Sequence, residues 1–138
     1  MNTFHLEIVT PDGPTFKGEV ESLVLPAWEG QLGVLPGHEP MVVVMKPGPL
    51  RYQTSGKEEW VAVSGGFAQI AQDKVILLAE TAEIAEAIDA ARAKAKVGEK
   101  QHALNERHGM SAEEVSRMEA SLLKELIRVK VAERAKKG

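Results

Sequence analysis

Four histidines, His5, His38, His102 and His108, are the side chains of this sequence best suited to proton transfer or metal ligation near neutral pH. None stands in an HExxH or comparable ligand spacing, and His102 and His108 lie six apart around a helix end, so no metal site is expected. There is no cysteine, which removes disulfides, thiolate metal sites and a cysteine nucleophile. No GxSxG nucleophile elbow, P-loop or GxGxxG fingerprint occurs. Gly30-Gln31-Leu32-Gly33 has a GxxG spacing but no helix to follow it, and Ser64-Gly65-Gly66-Phe67 reads as a tight turn. The 20 Asp and Glu mark no pair with separated acidities, so catalysis is not expected.

Two constellations remain. Gly33-Val34-Leu35-Pro36-Gly37-His38-Glu39-Pro40 is a stiff loop, since two prolines and two glycines leave it few conformations. Such a loop is either a plain exposed connection or a pre-ordered surface that docks with little loss of entropy. In Ile88-Asp89-Ala90-Ala91-Arg92-Ala93, Asp89 and Arg92 are helix-surface neighbours. That spacing fits a solvated salt bridge, or a small-ligand clamp in which the carboxylate accepts from an amine and the guanidinium meets anionic oxygens.

The elements that must position these residues fall into two compositions. Residues 1–84 hold all 7 Pro, 9 of the 12 Gly and all 6 aromatics, with 5 Lys and Arg against 11 Asp and Glu. Residues 85–138 hold 12 Lys and Arg against 9 Asp and Glu, 11 Ala, and no Pro or aromatic. The first part is read as one domain. Phe4, Leu6 and Ile8 alternate with more polar neighbours, and seven or eight short strands recur at roughly ten-residue spacing, up to Val75–Ala79. This predicts an antiparallel β-sandwich. The second part is read as a helical domain. A helix is expected from about Ala82 to Asn105, with Ile84, Ile88, Ala91, Ala95 and His102 as its apolar stripe and Gly109 as its left-handed cap. A second helix begins at the capping box Ser111-Ala112-Glu113-Glu114 and runs to about Lys136, with Val115, Met118, Leu122, Leu126 and Val129 as its stripe, widened by Leu123 and Ile127. Joined by a short loop, the two make an antiparallel αα-hairpin, so the fold class is α+β. The Ala-rich stripe of the first helix buries little area, which leaves it weakly held. No apolar run approaches the roughly 20 residues that span a bilayer, and no targeting segment is read at the N-terminus. The net charge of −3 argues against nucleic acid as a partner.

With Phe4–Val9, the segment Glu29–Pro40, Ser64–Phe67, Ala79–Ala82 and Ile88–Ala93 in view, the chain resembles the epsilon subunit of bacterial F-type ATP synthases over essentially its whole length. The resemblance implies a non-catalytic rotor subunit. Its β-sandwich would clamp the gamma subunit and rest on the c-ring, coupling proton or sodium flow to catalysis. Its hairpin would be a regulatory arm that folds onto the sandwich or extends toward the catalytic alpha/beta head, where it blocks hydrolysis. The location implied is the cytoplasmic face of the bacterial inner membrane, peripheral and held through the complex. The loop Gly30–His38 matches the family's c-ring-facing loop, so Gln31, Gly33, Pro36, Gly37 and His38 are its candidate contacts. Gln31 stands where many members carry an acidic residue, which keeps a hydrogen-bonding group and removes a charge. Ile88, Asp89, Arg92 and Ala93 match the family's nucleotide motif, with Glu83 beside it, and ATP is the implied regulatory ligand. Arg117, Lys124 and Arg128 flank the stripe of the second helix, with no motif to set their register against a nucleotide. No cofactor is required. The alternative reading is a free-standing ATP-sensing module.

Overall fold

The computed structural model describes residues 2–137. Ten strands come first: β1 Phe4–Thr10, β2 Gly13–Val20, β3 Ser22–Ala27, β4 Gly30–Val34, β5 Met41–Met45, β6 Gly48–Thr54, β7 Lys57–Val63, β8 Gly66–Ile70, β9 Lys74–Ala79 and β10 Ala82–Ile84. A 3-10 turn over Ala85–Ala87 leads to helices α1, Ala90–Asn105, and α2, Ala112–Lys137. The strands hydrogen-bond in the order β10-β7-β6-β3-β5-β8-β9-β1-β2, with β4 on β3. The strip folds over between β3 and β5, which share one pair, Ala27 with Met45, and β2 comes back against β6 and β10.

Alternation builds the core. Phe4, Leu6 and Ile8 of β1, Leu23 and Leu25 of β3, Val61 and Val63 of β7, and Val75 and Leu77 of β9 all point into the interior of this sandwich. The Phe16 and Tyr52 rings meet with centroids 4.5 Å apart, and burial, aided by the charges of Glu59 and Glu86, pushes the Tyr52 hydroxyl up to about 12. Pairing is antiparallel with one departure: β1 runs parallel to β9, from His5 beside Lys74 to Val9 beside Leu78. A parallel pair cannot be closed by a tight turn, so local turn signals carry no trace of it. The run Glu19–Leu25 is divided between two strands, β2 ending at Val20 and β3 starting at Ser22. β2 already begins at Gly13 because Pro14 sits on the sheet's end strand, where a missing amide costs no ladder bond.

Trp60 and Ala62 point outward from β7, and α2 lies across them. With Ala85, Ile88, Ile127, Val131 and Ala132 they form a second, smaller apolar cluster, the seat of the helical hairpin. β7 is therefore buried on both faces from Trp60 to Val63.

Two helical expectations are corrected. Residues 82–88 are not part of the α-helix: Ala82–Ile84 pair with Val61–Val63, Ala85–Ala87 make a 3-10 turn, and α1 begins only after Asp89, whose side chain accepts a hydrogen bond from the Arg92 amide. Asp89 is thus an N-cap. The apolar stripe of α1 also shifts. Ala93 and Leu104 are buried while Ala91, Ala95 and His102 are exposed, since α1 packs on α2 and needs only a narrow strip. On α2, Ile127, Val131 and Ala132 face the seat, whereas Leu126 is 46% exposed. Gly109 does take a positive φ of 79°, but inside the connecting turn, beyond the helix cap at Glu106. The capping box forms, with Ser111 Oγ accepting from the Glu114 amide at 3.1 Å.

One glycine carries a steric constraint. Gly66 has φ 138°, and a Cβ there would run into the Leu78 carbonyl and the Ala79 Cα. Gly66→Ala is expected to lower unfolding free energy by about 3 kcal/mol in urea titration, through strain and a backbone clash. Gly33→Ala, with ordinary φ and open space around it, should change it by under about 0.5 kcal/mol.

Candidate functional site

Helical spacing sets the first half of the site. On α1, Arg92, Lys96 and Lys100 recur every four residues and so share one face. On α2, Lys124 and Arg128 are likewise one turn apart. Where these faces meet β10 and the β1–β2 turn, a polar cleft of about 480 Å³ opens, lined by Lys96, Lys124, Glu125 and Arg128 with Glu83, Asp12 and Thr81 opposite.

A chain of charges crosses the bottom of that cleft. Arg128 Nη1 donates to Glu125 Oε1 at 2.8 Å, and its Nη2 donates to Glu83 Oε2 at 3.1 Å. Nε lies 2.9 Å from Glu83 Oε1, close enough for an ion pair but off the hydrogen-bond axis. Lys100 Nζ donates to Glu125 Oε2 at 3.1 Å. Lys100 of α1, Glu125 and Arg128 of α2, and Glu83 of β10 thus form one relay of alternating sign. Glu125 is 4% exposed. Burial alone would push its carboxyl up, but the hydrogen bonds and charges of Lys100 and Arg128 outweigh that and hold it below the usual carboxylate range. Burial likewise opposes the charge on Arg128, and the hydrogen bond to Glu125 and the charge of Glu83 more than offset it, raising its affinity for the proton.

The expected nucleotide residues are not brought to one point. Ile88 is packed in the hairpin seat, and Ala93 is buried on α1. Asp89 and Arg92 form no side-chain ion pair; their bond is the helix cap, at 3.0 Å. Asp89 lines a shallow recess with Ile88, Ala132 and Lys136, separate from the cleft that Glu83 lines. Arg92 lies one turn before Lys96, on the face that leads into the cleft. Arg117 is exposed near the start of α2.

At the other side of the sandwich, Gln31 and Gly33 lie on the exposed face of β4, and Pro36, Gly37 and His38 follow in the turn beyond it. That turn is tied down: His38 N donates to Leu35 O at 3.2 Å, and Gly37 N donates to Gln72 O at 3.1 Å. On the outer face of β5, β8 and β9 lies an apolar surface that composition did not reveal. Val44, Phe67 and Leu78 are cross-strand neighbours on β5, β8 and β9 and are 45%, 54% and 51% exposed. Val42 continues the row, and Trp28, 68% exposed, stands near it across a groove between β4 and β5. Apolar letters in a strand read as core from sequence; only the pairing register shows that these face outward. Among the described residues no group of three or more His, Asp or Glu is placed to hold a metal ion, and no helix is long and apolar enough to cross a membrane.

Residues 3–85 match the family model described as the β-sandwich domain of the ATP synthase delta/epsilon chain. The ATP synthase epsilon chain of Desulforamulus reducens is 43% identical over 131 residues, 95% of this chain and 98% of that one. The epsilon chain of Bacillus pumilus is 41% identical over 132 residues, 96% of this chain and 98% of its own. The chain belongs to the ATP synthase epsilon-chain family. Its backbone is also similar to a chain in the cryo-EM structure of the Euglena gracilis mitochondrial ATP synthase, described as OSCP/F1/c-ring. There the TM-score is 0.79, at 24% identity, over 98% of this chain and 82% of that one, a likeness that bears on the fold alone. In this member of the epsilon-chain family, then, the relay Glu83–Arg128–Glu125–Lys100 is what ties the helical hairpin to the sandwich beyond its small apolar seat.

The relay has a defined pH sign. Because the folded Glu125 carboxyl is lowered, its stabilisation is full above the ordinary carboxylate range and is lost as pH falls through the lowered folded value. In a Trp28→Phe background, where Trp60 alone reports on the seat, Trp60 fluorescence should change in that acid window. Arg128→Ala should weaken hairpin docking by about 2 kcal/mol at neutral pH, because it leaves two carboxylates without their shared cation. A seat unaffected by both acid and Arg128→Ala would show that the relay does not hold it.

Proposed function

We propose that this protein is the non-catalytic central-stalk subunit of its ATP synthase, a coupler with a regulatory arm. The observation that carries the reading is the exposed apolar row Val44–Phe67–Leu78. It covers the outer face of one layer of the sandwich, while the hairpin covers the outer face of the other. A row of large apolar side chains on a sheet face marks an interaction surface. In this reading it seats on the gamma subunit. The pre-ordered turn Pro36–His38, with Gln31 and Gly33 on β4, meets the c-ring, and the subunit stays peripheral to the cytoplasmic face of the inner membrane.

The hairpin supports the regulatory half. Its apolar seat is small, and the rest of its attachment is electrostatic. Two arrangements a few kcal/mol apart are what a switch requires. In the released arrangement the arm extends along gamma toward the catalytic alpha/beta head and opposes hydrolysis; in the folded one ATP stabilises it. The basic cleft of Lys96, Lys124 and Arg128 offers charge for phosphates, and Arg92 and Asp89 stand at the start of α1, one to two turns before Lys96. The sandwich brings rigidity and surface to the complex, and the chemistry is left to other subunits.

Phe67→Asp combined with Leu78→Asp should weaken association with gamma at least about 100-fold in a surface-binding assay. Because both side chains are about half exposed, stability should change little. Failure of the unaltered chain to associate with any rotor component would refute the coupler reading. For ATP, Arg92→Ala should reduce the heat of binding in calorimetry. Arg92 is the better probe, because Asp89→Ala also removes a helix cap worth about 1 kcal/mol. No heat from the unaltered chain at millimolar ATP would rule the ligand out.

A further inference from the structure

The cations in and next to the cleft, Lys96, Lys124 and Arg128 on its lining and Lys100 behind Glu125, are not equally available. Lys96 and Lys124 have no carboxylate within ion-pair distance among the described residues, whereas Lys100 and Arg128 are both engaged by Glu125. Glu125 sits between them almost wholly out of water, with one carboxylate oxygen on each. Arg128 has its second edge on Glu83, so its guanidinium is ringed by carboxylates on both sides. A phosphate would approach Arg128 through the same donors that Glu125 already uses, since carboxylate and phosphate oxygens compete for one guanidinium fork.

We propose that Glu125 is an internal competitor for the phosphates of a bound nucleotide: its carboxylate occupies Arg128 on the cleft wall and Lys100 behind it, and sets a low affinity for ATP. The inference rests on the nucleotide reading given above. It makes Glu125 an affinity-determining residue whose own charge opposes the ligand. The same carboxylate that locks α1 to α2 screens the cleft against anions, so the hairpin stays folded without nucleotide and answers only to high concentrations of it.

Glu125→Gln and Lys100→Gln break the same ion pair, which makes their comparison decisive. If Glu125 merely held the helices together, both variants would loosen the cleft and weaken ATP binding. As a competitor, Glu125 gives opposite signs: calorimetry on the full chain should show ATP bound about tenfold more tightly by Glu125→Gln and more weakly by Lys100→Gln. Inorganic tripolyphosphate should gain the same factor with Glu125→Gln, and adenosine should gain nothing, because the effect acts on the phosphate end. Circular dichroism verifies the helical fold, and Glu125→Ala takes the place of the glutamine variant if that one does not keep it. Measurable ATP binding by the unaltered chain with no tightening in the variant overturns the competitor and leaves the nucleotide reading standing. Absence of ATP binding in both chains overturns the two together.

Discussion

A single guanidinium decides how the helical part of this chain sits on its sheet. Arg128 reaches from the third quarter of α2 to Glu83, on a three-residue strand at the margin of the sandwich, and turns its other edge to Glu125 on its own helix. Glu125 passes the connection to Lys100 on α1. Without this relay the hairpin would rest on a handful of alanine, valine and isoleucine contacts around Trp60. Desolvated ion pairs are costly to assemble and more costly to break one-sidedly, so they suit a joint that must be either made or unmade.

The sandwich places its two outer faces in contrast. One is closed by α2 over Trp60 and Ala62 and latched by charge; the other shows Val44, Phe67 and Leu78 to solvent. The inner faces are ordinary close-packed aliphatic core, and their alternation along each strand is what forces these outward residues into one row. An apolar surface and a charge-latched arm therefore arise from the same pleat and demand no cleft with a reactive group.

Much of this was legible in the residues, and the misses have physical causes. Alternation in Phe4–Ile8 located a strand because that signal is local. The capping box at Ser111 located α2 for the same reason. Ala82–Ile84 misled because Ala and Glu favour helix, and the contact that overrides this preference, pairing with Val61–Val63, is distant in sequence. Asp89 and Arg92 were placed correctly as neighbours, yet their bond is backbone to side chain, which spacing cannot distinguish from an ion pair. Arg128 stood out only as a flanking basic residue, because its partner Glu83 is 45 positions away. The outward Val44 and Phe67 were hidden because hydrophobicity reports what a side chain avoids, whereas register reports which way it points.

The parallel pairing of β1 with β9 also bears on how the molecule comes into being. β1 is an interior member of the sheet, flanked by β2 on one side and by a strand that starts at Lys74 on the other. On a growing chain it has to wait for most of the sandwich to be synthesised before its second neighbour exists. Closing so long a loop costs entropy before any contact repays it, whereas α1 and α2 need only each other and a short turn. The hairpin is thus quick to form by itself, whereas the sandwich that carries its seat closes only when β1 and β9, about seventy residues apart, have paired.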